Sequence, residues 1–356
     1  MKKILSTTAL VSTLVLSANY ALAQTTVTGQ LDLGYKAYSG SPASDSSYRS
    51  FTRESQINIA NKGKLSNGID YVAGFSWEVD GNEAVATASF AENTYIDFIM
   101  GKTTLSISAD HIQNANFEIT NLAGGVADID DLVIGYNSSA TVKSLAAIHG
   151  TNNANRSHEG HGIGIIHDFG VAKASINYVP DRTGGNAAAN DGSSSAVDNG
   201  NSQIDVMIRG NLGVKGLDAF IYRGESESET PGTAASAGDL EGLKYGVSYN
   251  FGQFSVAASQ SKVESINDVE AKTTSFGVAF APTKEVTIGL IQAKTSADGI
   301  LTTAKAATPD EKLRAINVGY NLGPVVANLM YVDSDNLGGS TTSDPKALHL
   351  NLTTKF

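Results

Sequence analysis

The residues best suited to chemistry in this chain are few, and their spacing argues against most of it. His158-Glu-Gly-His161, with His167 close behind, offers imidazole nitrogens of the kind zinc takes. A zinc-protease pair stands four residues apart on one helical face, encloses a glutamate base and needs a third ligand. Here the two histidines are three apart, within a glycine-containing stretch, so they read as solvated loop. Asp333-Ser-Asp335-Asn336 presents hard oxygens that suit calcium, but without the fixed ligand ladder of a helix-loop-helix calcium site. No Gly-x-Ser-x-Gly elbow, phosphate loop or dinucleotide fingerprint occurs. Cysteine is absent, which removes thiolate metal sites and disulfides together. No catalytic residue, metal or cofactor is expected, and the chain does not read as an enzyme.

The remaining charged residues take their meaning from the elements that carry them. The last ten residues alternate: Leu348, Leu350, Leu352, Thr354 and Phe356 on one parity, His349, Asn351, Thr353 and Lys355 on the other. A period of two sends these sets to opposite faces of a strand. Phe356, Leu352 and Leu350 are expected to form a lipid-facing closing strand, whose terminal aromatic sits at the membrane interface and serves closure and assembly. The same alternation runs through about 26–38, 67–79, 242–251 and 312–322, each long enough for a tilted strand to cross a bilayer. Its polar parity places four bases on the inner face: Lys36, Lys173, Arg209 and Lys244. Arg53 shares the parity of Ile57 and Ile59 and is expected to point outward.

The other end carries a secretory pattern. Met1-Lys-Lys is followed by an apolar run over 4–17 and by Ala21-Leu-Ala23, which fits small-residue cleavage before Gln24. Residues 1–23 are read as a signal peptide and 24–356 as a single domain. After residue 23 no apolar stretch reaches the roughly 20 residues of a spanning helix. Alternating strands average out to an unremarkable 41% hydrophobic content, as membrane barrels do. The net charge of −11 argues against nucleic acid as a partner.

Connections alternate as well. Short turns near 63–66, 101–102, 138–141, 170, 212–215, 252–253, 282–284 and 323–324 face long polar loops such as 111–130, 181–201, 264–272 and 295–311. Tight turns on one side and extended loops on the other suit an outer-membrane barrel. Asp168-Phe-Gly, Asn211-Leu-Gly, Asn250-Phe-Gly and Asn321-Leu-Gly each close an apolar alternation, and the first three recur about every 40 residues, the length of a hairpin unit. Counting gives an all-β, transmembrane, antiparallel barrel of about 18 strands, with 16 as the alternative if a short pair near 131–149 is merged.

In this order, the leader, the opening strand Gly29-Gln-Leu-Asp-Leu-Gly34, the turn-joined pairs 95–107 and 243–258 and the Phe-terminated strand resemble the Gram-negative porin family over the whole mature length. The resemblance implies an outer-membrane homotrimer that passes small hydrophilic solutes and ions by passive diffusion. It also implies a third long loop folded inward, with acids facing basic wall residues. Here the constriction acids would be Asp110, Glu118, Asp128, Asp130 and Asp131, facing Lys36, Lys173, Arg209 and Lys244. Acidic excess there predicts weak cation preference, screened as salt rises. The alternative is a substrate-selective channel for a sugar or other small solute, with Phe220 and Tyr222 as stacking surfaces; a barrel adhesin ranks lower.

Overall fold

The computed structural model describes residues 24–39, 48–80, 92–108, 161–181, 201–228, 240–265, 270–297, 309–337, 341 and 344–356. Sixteen strands run through them. They are β1 (Gln24–Ser39), β2 (Tyr48–Lys64), β3 (Asp70–Asp80), β4 (Glu92–Met100), β5 (Thr103–Ser108), β6 (His161–Asp168), β7 (Ala172–Asp181) and β8 (Asn201–Gly210). The second half comprises β9 (Leu217–Ser228), β10 (Leu240–Phe251), β11 (Phe254–Ser265), β12 (Glu270–Phe280), β13 (Val286–Ala297), β14 (Glu311–Asn321), β15 (Val325–Asp335) and β16 (Lys346–Lys355). Each pairs antiparallel with the next, and β1 pairs with β16, so the sheet closes as a barrel. Closure gives backbone N–H and C=O groups inter-strand partners, which a hydrocarbon medium requires.

The ring holds sixteen strands, the lower of the two expected counts. β5 pairs directly with β6, and the extra pair expected near 131–149 lies outside the described residues. The connection between β11 and β12 is shorter than sequence suggests, since Glu264 still faces Glu270 in the ladder. Asp333 and Asp335 lie on β15 and hold Arg314 at 3.6 and 2.9 Å.

Residues directly opposed across an antiparallel pair share a face. Following the ladders from Leu33 carries the outer face through Leu352, Leu350, Leu329, Val318 and Ile288. That face is apolar and open, with Ile165, Ile176 and Ile316 each about half exposed. Stacked rings of Tyr249, Phe251, Phe254 and Phe280 belt its lower edge. The inner face holds small and polar side chains such as Ser106, Asn177, Ser275, Thr295 and Asn317. One sector departs from this rule. On β13–β16 the inward set includes Ile291, Leu313, Met330 and Val332, which join Tyr38 and Leu337 in a buried apolar cluster.

The Asx-x-Gly repeat sets the lower turns. Asp168, Asn211 and Asn321 each accept a hydrogen bond through Oδ1 from the glycine N–H two residues on, at 2.7, 2.9 and 2.8 Å. Those glycines adopt φ of +91°, +82° and +89°, the region where a Cβ is disfavoured. Closure depends on a second glycine device. Gly29 N–H donates to the Phe356 carbonyl at 2.8 Å, and Phe356 N–H returns the bond at 3.0 Å. The Phe356 ring covers Gly29 so closely that a Cβ there would stand 2.3 Å from Cζ.

Candidate pore-lining site

The ladders place all four sequence-derived bases on the inner face. Lys173 on β7 opposes Arg209 on β8, Arg209 opposes Phe220 on β9, and Lys244 on β10 opposes Tyr222. Three bases therefore share one wall. Lys36 on β1 opposes His349 on β16 and stands across the ring, because β1 and β9 are half the strands apart.

The basic wall is not purely basic. Arg209 grips Asp218 with two donors, Nε at 3.1 Å and Nη2 at 2.7 Å, both groups being partly exposed. A bidentate pair of this kind spends much of the arginine's field locally. Asp205 opposes Asn177 and accepts its amide at 2.7 Å. Lys173 and Lys244 lie on the same side of the ring.

Acids face them. Asp32 on β1 opposes Thr353 on the inner face and receives the Gln30 amide. Asp97 on β4 opposes Ser106 on the same face and is buried. Neither was singled out as pore-lining from the sequence, although the parity of Ile96 and Phe98 as outer residues would have found Asp97. Between the walls runs a hydroxyl ladder, in which Ser259 meets Ser275 at 2.7 Å and Thr273 meets Thr295 at 2.9 Å. Its upper row continues from Lys244 through Ser261, Thr273 and Thr295 to Glu311.

Other expected residues fall elsewhere. Asp110, Glu118, Asp128, Asp130 and Asp131 lie outside the described residues. Leu350, Leu352 and Phe356 are on the outer face, Phe356 being 70% exposed. Arg53 opposes Leu33 and faces out. His158 lies outside the described residues, and His167 is an outer-face residue whose Nδ1 lies 2.8 Å from the Thr103 hydroxyl. Among the described residues no group of three metal-ligating side chains gathers. Phe220 and Tyr222 do face inward, but only 5% and 1% of each is exposed. Phe220 is folded over Gly246, whose Cβ would lie 2.5 Å from its ring.

A closed sixteen-strand barrel with an apolar outside, lower aromatic belt and charged inside leaves an aqueous bore. The family profile of the Gram-negative porins matches residues 6–351. The chain belongs to the Gram-negative porin family. Solved porins share the fold at low identity. A porin refined at 1.8 Å is 16% identical, with TM-score 0.59, over 94% of this chain and 100% of that one. The trimer form of the Vibrio cholerae outer membrane protein OmpT is 9% identical, with TM-score 0.60, over 94% and 99% of the two chains. The Acinetobacter baumannii outer membrane channel DcaP is 11% identical, with TM-score 0.61, over 94% and 97%. No curated protein matches. This porin is an outer-membrane channel.

Proposed function

We propose that this porin is a passive diffusion channel for small hydrophilic solutes and ions, weakly selective for cations. One observation carries the reading: the inner face sets Asp32 on β1 across the bore from Lys173 on β7 and Lys244 on β10, with Asp97 on β4 between them. Opposed charge at a narrow point orders water and biases ion passage without a binding step. The bias goes to cations because Asp218 offsets Arg209 and Asp205 and Glu311 are also inward-facing. The acids at 110, 118, 128, 130 and 131 would add to it if that loop enters the bore as the family resemblance implies.

Assembly as a homotrimer fits the likeness to the trimer form of OmpT. Residues 1–23 serve as the export leader, leaving 24–356 as the barrel domain. Outer-membrane lipid and permeating solutes are then the partners, with no cofactor required. Phe220 and Tyr222, the two rings that a sugar channel would use for stacking, are buried, so a substrate-selective channel is the weaker reading.

Purified protein in a planar bilayer tests this. Stepwise conductance and a cation-sign reversal potential in a potassium chloride gradient are expected. An absence of conductance steps refutes the channel, and saturable block by one solute replaces diffusion with selective transport.

A further inference from the structure

Parity fails just above β15, and the failure places chain inside the bore. Tyr331, Asp333 and Asp335 face outward opposite Ile316, Arg314 and Lys312, so Leu337 carries outward parity too. Leu337 is instead 1% exposed and belongs to the inward apolar cluster with Leu313, Met330 and Val332. The reversal occurs at Asn336, whose φ of +54° lies in the left-handed region that asparagine adopts more readily than most residues.

Polar ties hold the turn from both neighbouring strands. Asn336 N–H donates to the Asp344 carboxylate at 2.9 Å, and its side-chain amide donates to the carbonyl of Asp310, the residue before β14, at 3.0 Å. The buried Ser334 hydroxyl donates to the Pro345 carbonyl, just before β16, at 2.6 Å. These bonds join the top of β14, β15 and β16 around one point. They fix the shape of the turn, while the apolar contact decides where it sits.

Water makes that contact necessary. Ile291, Leu313 and Val332 point into a bore otherwise lined by hydroxyls, amides and charges, where apolar surface left open would face water. All three are covered, none being more than 4% exposed. Among the described residues, Leu337 is the only member of their cluster that comes from beyond a strand. Its burial draws the chain that follows β15 over the inner wall, where parity would have sent it away from the bore. The backbone of Asn336 and Leu337 then stands in the upper mouth, on the β13–β16 side.

We infer that Leu337 is a positioning residue that sets the width of the channel's upper mouth, and with it the size of solute admitted from the loop side. It acts through the backbone it anchors, because its own side chain is hidden from the water. The inference rests on the barrel being an open channel and is separate from ion preference.

Conductance of the protein in a planar bilayer tests it, with polyethylene glycols of graded size added first on one side and then on the other. A glycol that enters the bore lowers the conductance, and one too large to enter does not. Leu337→Ala should raise the conductance and shift the size limit upward from the loop side, leaving the limit from the turn side unchanged. Leu337→Met keeps the apolar contact and should behave as the parent does. Asn336→Gly allows the left-handed turn but removes the amide tie to Asp310. It should shift the loop-side limit in the same direction by less, and it carries the test if Leu337→Ala does not fold. A Leu337→Ala protein with a lower urea midpoint but the parent's loop-side limit overturns the inference, because the contact is then structural only. So does an equal rise from both sides, which would mean that the whole ring has loosened. A parent without conductance steps takes the inference down together with the channel, whereas the other two outcomes refute only the role of Leu337.

Discussion

Closure at Gly29 and Phe356 can be tested as a coupled pair. Gly29→Ala places a Cβ 2.3 Å from Phe356 Cζ and 2.9 Å from the Gln56 carbonyl oxygen. The ring can swing aside, but it then leaves the site where it covers the glycine, and the Gln56 oxygen is backbone. Overpacking of this kind costs about 1–3 kcal/mol. Phe356→Ala removes the same ring contact by the other route while keeping the two backbone bonds to Gly29. If the clash with the ring dominates, Gly29→Ala in the Phe356→Ala background should cost about 1 kcal/mol less than in the parent. The chain supplies its own reporter, since its one tryptophan, Trp77, faces lipid and is 48% exposed. Urea titration of protein folded into lipid vesicles, followed by Trp77 emission, gives the midpoints. Pores that form should conduct as the parent does, because both residues lie outside the bore. Costs that simply add, within about 0.5 kcal/mol, would refute the view that ring and glycine act as one closing device.

Four other perturbations separate the remaining claims. Asp97→Asn should reduce cation preference in reversal-potential measurements at 0.1 M salt, where screening acts over about 10 Å, and should do little at 1 M, where it acts over about 3 Å. Asp218→Asn should shift selectivity toward anions more than its lost charge at that position alone would, because it also releases Arg209; an unchanged reversal potential would mean the pair lies away from the current. Lys244→Gln should move selectivity in the opposite direction, toward cations, with conductance steps retained. Zinc or a chelator should leave both the urea midpoint and the conductance unaltered, and a zinc-dependent rise in stability would reinstate the histidine loop as a metal site.

Barrel architecture was legible because lipid outside and water inside force a period of two wherever a strand is half polar. Strands β1, β3, β10 and β16 show it cleanly, and parity alone turned Lys36, Lys173, Arg209 and Lys244 inward. The signal fades on β13–β15, where Ile291, Leu313 and Val332 make the inward set apolar too, so parity no longer separates the faces. Glu264 and Glu270 fall in a polar stretch, 264–272, that reads as loop from the sequence, yet the ladder runs on through both. Parity gives Arg209 as a wall base but not its partner, because Asp218 is supplied by the next strand, at a register no local pattern reveals. Asp32 and Asp97 follow parity, and only their places around the ring relative to the basic wall needed it to close.

Register is what joins these levels. A slip of one residue in any strand would exchange its inner and outer sets, putting Lys244 into lipid and Tyr245 into the bore. Hairpin geometry guards most of the ring: Asp168, Asn211 and Asn321 each hold their turn glycine through a side-chain oxygen, and the next strand can start in only one place. The seam between β1 and β16 has no turn to set it. There the register of ten residue pairs, from Gln30 opposite Lys355 to Ser39 opposite Lys346, must be fixed by the seam's own contacts. The Phe356 ring over Gly29 supplies the lower stop, because in a shifted register the ring would meet the Cβ of Thr28 or Gln30 instead of a glycine. The contact that places Asp32 and Lys36 correctly in the bore is therefore an aromatic that never touches the water within it.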